Sequence, residues 1–514
     1  MLQTILSLPT WVLITLLPTI YILHVLLAAA LSPLRHIPGP FLARFTRLWY
    51  CLSIYRGSYE RENIALHRRY GPIVRIAPNE YSIDSPSACK TIYATSNSHF
   101  LKAPWYKAWM PPDPSKASLF SDLNPHHHGT QRRKFASYYS MSSLVGYERF
   151  VDNCTEMLCA RFRELSDYER GTVDLQHWLQ CYAFDVIGEI TFGKRFGFLE
   201  MGEDEEGVFA AIDTRGWYST FAGIWPWVHG WVYGLLPKTG GHGYVLGYTM
   251  RRIEERVKIL KDPRIAEEKE REGTPDIMTR ILMASEKDPE KVTRGDLITM
   301  CQSNIGAGSD TTAITLSSVL YHLLKFPETY QKLRKEIDDA EKEGRISDPI
   351  TFKEAQGLPY LQAAIKEGLR VHPAVGLGLQ RVVPSEGANL AGEFIPGGST
   401  VGINAWVAHR NTTVYGADAD SWRPERWLEI EEQGRGGEVD KYFLSFGLAS
   451  RTCIGKNISL LEMSKLIPQL VRRFDFELDK ELEKDDGLIC ENRWFVKQKN
   501  FKGRVLRRKD GGKS

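Results

Sequence analysis

Ten residues near the C-terminus, Phe446-Gly447-Leu448-Ala449-Ser450-Arg451-Thr452-Cys453-Ile454-Gly455, restrict what this chain can fold into more than any other stretch. They set one cysteine between an aromatic residue, an arginine and a glycine. Such a cysteine is either an ordinary core residue or a metal ligand acting as a thiolate. A free thiol titrates near roughly 8.5, so a ligand cysteine needs metal contact and nearby positive charge to stay deprotonated. Arg451 supplies charge two residues away, and Gly455 lets the backbone pass close to a bulky group before a helix begins.

The chain has 514 residues, enough by length alone for about three domains. Hydrophobic residues at 43% and charged residues at 25% describe an ordinary globular protein with ample core material. Lys plus Arg at 66 against Asp plus Glu at 63 leaves a net charge of +3, too small for a polyanion-binding surface, so nucleic acid is excluded as the expected partner. The eight cysteines are scattered, with no C-x-x-C pair, which indicates neither a zinc site nor a disulfide framework and fits a reducing compartment.

From Met1 to Leu34 there is no Asp, Glu, Lys or Arg, and Trp11 to Leu31 is about the length a helix needs to cross a hydrocarbon core. Residues 1–31 therefore read as a membrane anchor, with Pro9 and Pro18 tolerated as they are in lipid. A cleaved signal peptide is the competing reading, with Ala28-Ala29-Ala30 as its small-residue site, but no basic residue precedes the apolar run. Arg35, Arg44, Arg47 and Arg56 follow it, which places the body on the cytoplasmic side. Pro33 and Ile37-Pro38-Gly39-Pro40 make residues 32–40 a stiff hinge.

Beyond the hinge, Ile73-Val74-Arg75-Ile76 and Tyr81-Ser82-Ile83 around Pro78-Asn79 predict a small hairpin, and most of the middle is helical by pattern. No internal repeat is visible. A long apolar helix starts at Thr293, where Asp296 can complete a cap. Inside it lies Ala307-Gly308-Ser309-Asp310-Thr311-Thr312. Gly306 and Gly308 each cost roughly 1 kcal/mol against alanine, so they require a reason, which a local opening of the helix would supply. Thr311 either donates its hydroxyl to a reacting group or bonds back to the carbonyl of Ala307. Glu367 and Arg370 share one helix face, and Val371-His372-Pro373 ends that helix. Adjacent residues of His126-His127-His128 point in different directions on a helix, which argues against a metal site there.

The cysteine loop, the Ala307–Thr312 segment, Glu367-x-x-Arg370 and Pro424-Glu425-Arg426-Trp427 together resemble the signatures of the cytochrome P-450 family. Two positions depart from the family pattern: Ala449 stands for the usual loop glycine, and Trp427 for the more usual phenylalanine. The resemblance covers essentially everything past the anchor. It implies a mainly α, single-domain fold, a helical bundle with a long oxygen-binding helix and small β-sheets, preceded by one transmembrane helix. Residues 41–508 would form the monooxygenase domain and 509–514 a polar tail. Cys453 would be the axial ligand of haem iron, a thiolate that favours O–O cleavage, with Phe446 packed on its sulfur side. Arg451, Arg381, His128 and Arg132 would meet the propionates, with Arg133 as substitute for Arg132. Thr311 and Asp310 would be the acid-alcohol pair that delivers protons to dioxygen, and Arg426 would close on Glu367 and Arg370 to lock the cysteine loop.

The resemblance further implies an oxidoreductase acting on paired donors, which places one atom of dioxygen on a small apolar organic substrate. No dinucleotide-binding turn or flavin domain is present, so NADPH electrons would come from a separate cytochrome P-450 reductase. Its docking face would gather Arg132, Arg133, Lys134, Arg451 and Lys456. By position, Trp105 to Phe120, Trp217 to Trp231, Ala374 to Leu379 and Trp494-Phe495 would line the pocket; the aromatics from Trp217 to Tyr233 are either core packing or a lip at the membrane surface. The wording of the C-terminal third is similar to fungal microsomal members of the pisatin-demethylase-like branch, which points to secondary metabolite biosynthesis or detoxification at the endoplasmic reticulum. A haem-thiolate isomerase or dehydratase without reductant, and a non-catalytic haem sensor or carrier, remain alternatives.

Overall fold

The structure, a computed structural model, describes residues 10–93, 99–167, 171–237, 239–261, 274–484 and 487–508. Helix α1, Thr10–Leu31, carries no charge and contains Pro18; its side chains are described from Thr15. Among the described residues no helix is long and apolar enough to cross a membrane, so the expected transmembrane helix gains no support from the fold. Residues 1–9 of the expected anchor and the 509–514 tail lie outside the described residues.

After the hinge, β1 (Ile73–Ala77) and β2 (Glu80–Ile83) form the expected antiparallel hairpin, Ile73 opposite Ile83. The turn works because Asn79 adopts a left-handed φ of 58°, which asparagine tolerates better than most residues. A two-residue strand β3 (Leu101–Lys102) follows. Helix α2 (Pro125–Phe135) starts with proline at its first position and Asn124 as cap, the carboxamide accepting from the N–H groups of His126 and His127.

The helical body is built around α3 (Met141–Asp167), α4 (Leu175–Phe192), α5 (Val208–Ile224), α6 (Gly241–Leu260) and α7 (Arg294–Lys325). Helix α7 is 32 residues long and begins at the expected capping box: Thr293 Oγ1 accepts from Asp296 N (3.1 Å) and the Asp296 carboxylate accepts from Thr293 N (2.9 Å). It runs unbroken through Gly306 and Gly308. The glycines answer to neighbours rather than to an opening. A Cβ on Gly308 would stand 2.9 Å from Ile187 of α4, and one on Gly306 would stand 3.1 Å from the Arg215 guanidinium of α5. Close approach of α4 to α7 buries nearly all of α4 in the main core, worth about 25 cal/mol for each Å² of apolar surface removed from water.

Helix α8 (Pro359–Val371) packs on α7 and ends where Pro373 forbids another helical turn. Strands β4 (Arg381–Val382) and β5 (Thr400–Gly402) then join the N-terminal hairpin in one mixed sheet of order β1-β2-β5-β4-β3. The β3–β4 register sets Lys102 directly opposite Arg381. Helix α9 (Glu425–Glu432) packs on α8, and α10 (Lys456–Arg473) starts right after the cysteine loop and crosses beneath α3 and α7.

Candidate active site

The loop before α10 is closed by its own backbone. Cys453 N donates to Phe446 O at 2.7 Å, and Thr452 Oγ1 donates to Ala449 O at 2.8 Å. Two residues make the reversal with positive φ: Gly447 at 65°, which costs glycine nothing, and Ala449 at 54°, which does cost a side-chain-bearing residue. Cys453 is exposed, yet onto an internal cavity rather than the outer surface. Burial pushes its thiol up. The N–H groups of Gly455 and Lys456 at the start of α10 and the charges of Arg132 and Lys456 pull the other way.

That cavity has a volume of about 1360 Å³, above the roughly 300–1,000 Å³ of a drug-sized site. The loop forms one wall and α7 the facing one, with Ala307, Thr311 and Thr312 all on the lining. The Thr311 hydroxyl donates to Ala307 O at 2.8 Å, whereas Thr312, buried, meets Ser459 Oγ at 3.1 Å. Asp310 is buried and held on both oxygens: Gln180 Nε2 donates to Oδ1 at 2.7 Å and Lys497 Nζ sits 2.8 Å from Oδ2. Lys497 also holds Asp213, and the two carboxylates keep its ammonium above the ordinary value although burial opposes this.

A second wall gathers five basic side chains: Lys102, His128, Arg132, Arg381 and Arg451. Arg132 donates to Thr452 O at 2.7 Å and Arg381 to Gln380 O at 2.9 Å. Lys102 donates to the carbonyls of Leu119 and Phe120 at 3.0 and 2.6 Å. Burial and then the neighbouring cations, Arg451 first, hold Lys102 well below its usual value and His128 down at about 3. Arg451 is itself lowered by burial and by Arg381, and its Nη1 is buried without a hydrogen-bond partner. Lys102 opposite Arg381 is a like-charge cross-strand pair, unfavourable by itself. Asp122 is the acidic group acting on Lys102 and Arg451, and it also pairs with His127. So dense a cluster of cationic side chains, with a neutral imidazole among them, around an unpaired guanidinium N–H fits a doubly anionic group, and with Cys453 on the adjoining wall the donor set fits a haem with its two propionates.

Lys102 was not among the sequence candidates, because a lysine in a two-residue strand carries no motif; only the pairing with Arg381 brings it in. Arg133, the substitute for Arg132, is exposed and bonds Thr130 Oγ1 at 3.2 Å, away from the cavity. Of the expected docking cations, Arg133 and Lys456 are exposed; Arg132 and Arg451 line the cavity, and Lys134 is taken by Asp296 at 3.0 Å. Among the described residues no cluster of His, Cys, Asp or Glu could hold a metal ion, the His126–His128 triplet included.

The loop is held by a buried network. Arg370 forks onto Glu367 at 2.8 and 2.7 Å, Trp427 Nε1 donates to the same carboxylate at 3.0 Å, and Arg426 Nε lies 3.6 Å from it. Arg426 makes its shorter ion pair with Asp418, at 2.6 Å. The link to the cysteine loop is His409, which sequence reasoning missed: its Nε2 accepts from Leu444 N at 2.9 Å, so its Nδ1 carries the proton that bonds Arg370 O at 3.1 Å. Ser445 adds a bond to Leu369 O at 2.7 Å.

Another part of the lining is aromatic, with Trp109, Phe120 and Trp494 packed edge-to-face or tilted at 5.4 to 5.8 Å between ring centroids. Trp217 also lines the cavity, at its outer edge, while Trp227 (72% exposed) and Trp231 (81%) face outward and are not core.

The family model described as cytochrome P-450 matches residues 38–501. A pisatin demethylase of Fusarium vanettenii is 40% identical over 474 residues, covering 91% of this chain and 88% of that one. The cytochrome P-450 monooxygenase cicH of Emericella nidulans is 39% identical over 480 residues, covering 92% and 94%. A cytochrome P-450 monooxygenase of Aspergillus terreus is 38% identical over 448 residues, covering 86% and 90%.

Proposed function

We propose, from the premise that this chain belongs to the cytochrome P-450 family and is therefore a haem-thiolate oxygenase fed by a redox partner, that it inserts one oxygen atom from dioxygen into a small, largely apolar organic substrate. The observation that carries the reading is Cys453 facing, across one cavity, the Ala307–Thr312 turn of α7. Haem bound there supplies the dioxygen chemistry. Cys453 would hold the iron, and Phe446 would shield the thiolate. Lys102, Arg132, Arg381 and Arg451 would neutralise the propionates, and neutral His128 would donate a hydrogen bond to one of them.

Thr311 is the residue placed to hold a proton in the cavity. Its hydroxyl rests on Ala307 O and can exchange that acceptor for the reacting oxygen, while its lone pairs take a hydrogen bond from water. Asp310 is its neighbour on α7, fixed by Gln180 and Lys497, and is the acid that would relay protons toward it. The aromatic part of the lining excludes water from an apolar substrate. Electrons would come from an NADPH-cytochrome P-450 reductase docking near exposed Arg133 and Lys456.

The anchor reading rests on the uncharged run before Arg35 and on the outward tryptophans, and places the body on the cytosolic face of the endoplasmic reticulum. The likeness to fungal relatives supports a role in specialised metabolism or detoxification. The test is spectroscopic: reduced protein with carbon monoxide should give the difference band typical of thiolate ligation, and Cys453→Ala should lose it. A variant that keeps both the band and reductase-supported, NADPH-dependent oxygen consumption would sink the assignment.

A further inference from the structure

The cavity also holds a cation that stands apart from the propionate wall and that haem does not account for. Arg215 of α5 lines it on the α7 side, its guanidinium lying over Gly306, where a Cβ would stand 3.1 Å from Nη1. Among the described residues its one polar contact is a long 3.4 Å bond from Nη2 to Trp109 O, and its Nε is buried with no partner. Among the described residues no carboxylate lies within ion-pair distance of it. Asp213, two residues earlier, is exposed and taken by Lys497; Asp310 is taken by Gln180 and Lys497. Burial depresses Arg215 to about 10, and Tyr233 is the group that acts against this.

Arg215 is half-buried with its Nε fully covered, and a partly desolvated charge with no counter-ion costs stability that its removal would relieve unless something at this spot uses it. Gly306 deepens the point. It gives up helix propensity, and what it admits is this guanidinium. We infer that the substrate is an organic acid: its carboxylate pairs with Arg215 and its apolar body lies along α7 toward Thr311. Gly306 precedes Thr311 by five residues, about 7.5 Å of helix rise. The reacting carbon therefore sits roughly the length of a fused bicyclic ring, or of a phenyl ring with a short chain, from the carboxylate. The guanidinium fork matches a carboxylate in two bonds, which an alcohol or ketone does not offer. This inference rests on the oxygenase reading above.

The test compares acids with their neutral amides on the haem-loaded full chain: 2-naphthoate against 2-naphthamide, and 4-phenylbutyrate against 4-phenylbutanamide. Binding is measured by the shift of the haem absorbance and independently by calorimetry. At least one acid should bind about tenfold or more tightly than its amide. Arg215→Gln should bring that ratio to about one by weakening the acid alone, and Arg215→Lys should keep part of the preference. If no acid outbinds its amide in the wild-type protein, or if the preference survives in Arg215→Gln, the inference is overturned and Arg215 is a tie between α5 and α7. Should the glutamine variant fail to load haem, Arg215→Met takes its place, and the wild-type ratio stands as a test by itself. A normal carbon monoxide band without acid preference refutes this inference alone; absence of the band refutes the oxygenase reading.

Discussion

At the scale of single residues, Thr311 and Ala449 carry the sharpest consequences. The Thr311 hydroxyl rests on Ala307 O, the bond any helical threonine makes, so its chemistry shows only in what its loss does. Thr311→Ala should keep haem and still consume NADPH with the reductase, while product per NADPH falls several-fold and hydrogen peroxide per NADPH rises. Thr312 projects about a hundred degrees away and is tied to Ser459, so Thr312→Ala should change that ratio much less. An unchanged product-to-peroxide ratio in Thr311→Ala would return it to the helix as a packing residue. Ala449 is a different case. The family pattern has glycine there, and the turn has kept its left-handed shape, φ 54°, with alanine in place. Ala449→Gly should therefore stabilise the loop by about 1 kcal/mol, the left-handed strain of a non-glycine residue. The check is a later midpoint for haem loss in a urea titration; an earlier midpoint would show that the loop gains from a stiffer residue.

At the scale of elements, α8, α9 and the cysteine loop form one unit pinned by Glu367, Arg370 and His409. Arg370→Ala strands the fully buried Glu367 carboxylate, a loss of roughly 3–5 kcal/mol, and should yield little haem-loaded protein. Normal expression with full haem content would make the pair dispensable. His409 adds a pH dependence. Its burial and the Arg370 charge hold it near 3, well below its usual value. Unfolded, it takes up a proton near roughly 6.5, so its contribution is present above that pH and is lost as pH falls from there toward 3. Protonation also removes the acceptor for Leu444 N, so acid should loosen the loop, while His128, His322 and His372, also held down by burial, add to the same slope. Haem retention should drop between pH 6 and pH 4, and His409→Asn should flatten that slope. The Glu367–Arg370 pair, the capping box of α7 and the cysteine loop were legible because each is a short-range pattern whose spacing fixes its geometry. His409, Lys102 and Arg215 were not, since each gains its role from a partner on an element far away in sequence: Leu444, Arg381 and Gly306. The glycines of α7 were noticed as anomalies yet assigned to a helix opening, because only packing shows that Ile187 and Arg215 fill the space above them.

At the scale of the whole molecule, two segments among the described residues carry a run of exposed large apolar side chains. One is the N-terminal region, with Phe41, Leu42, Leu48, Leu52 and Tyr55 exposed; the other is the stretch after α5, with Trp227, Trp231 and Leu235 exposed. Tyr55 and Phe221 meet at 6.4 Å between centroids, so the two segments share one side of the molecule, the side where Trp217 opens onto the cavity. Exposed tryptophans at such an edge suit the polar boundary of a bilayer, where the ring is buried and its N–H stays wet. On the proposed membrane reading, two separable attachments are expected: α1 and this aromatic face. The full chain in microsomes should resist alkaline extraction, and protease added from outside should digest the body. A chain lacking residues 1–40 should come off with alkali but still float with phospholipid vesicles, and Trp227→Ser with Trp231→Ser should abolish flotation in that shortened chain alone. A protected, N-terminally cleaved product would instead mark the first residues as a signal peptide, and a shortened chain that never floats would leave the aromatic face without a part in membrane attachment. Because the face and the cavity mouth coincide at Trp217, the same double variant in the full chain should raise the KM for an apolar substrate delivered in vesicles while leaving kcat unchanged.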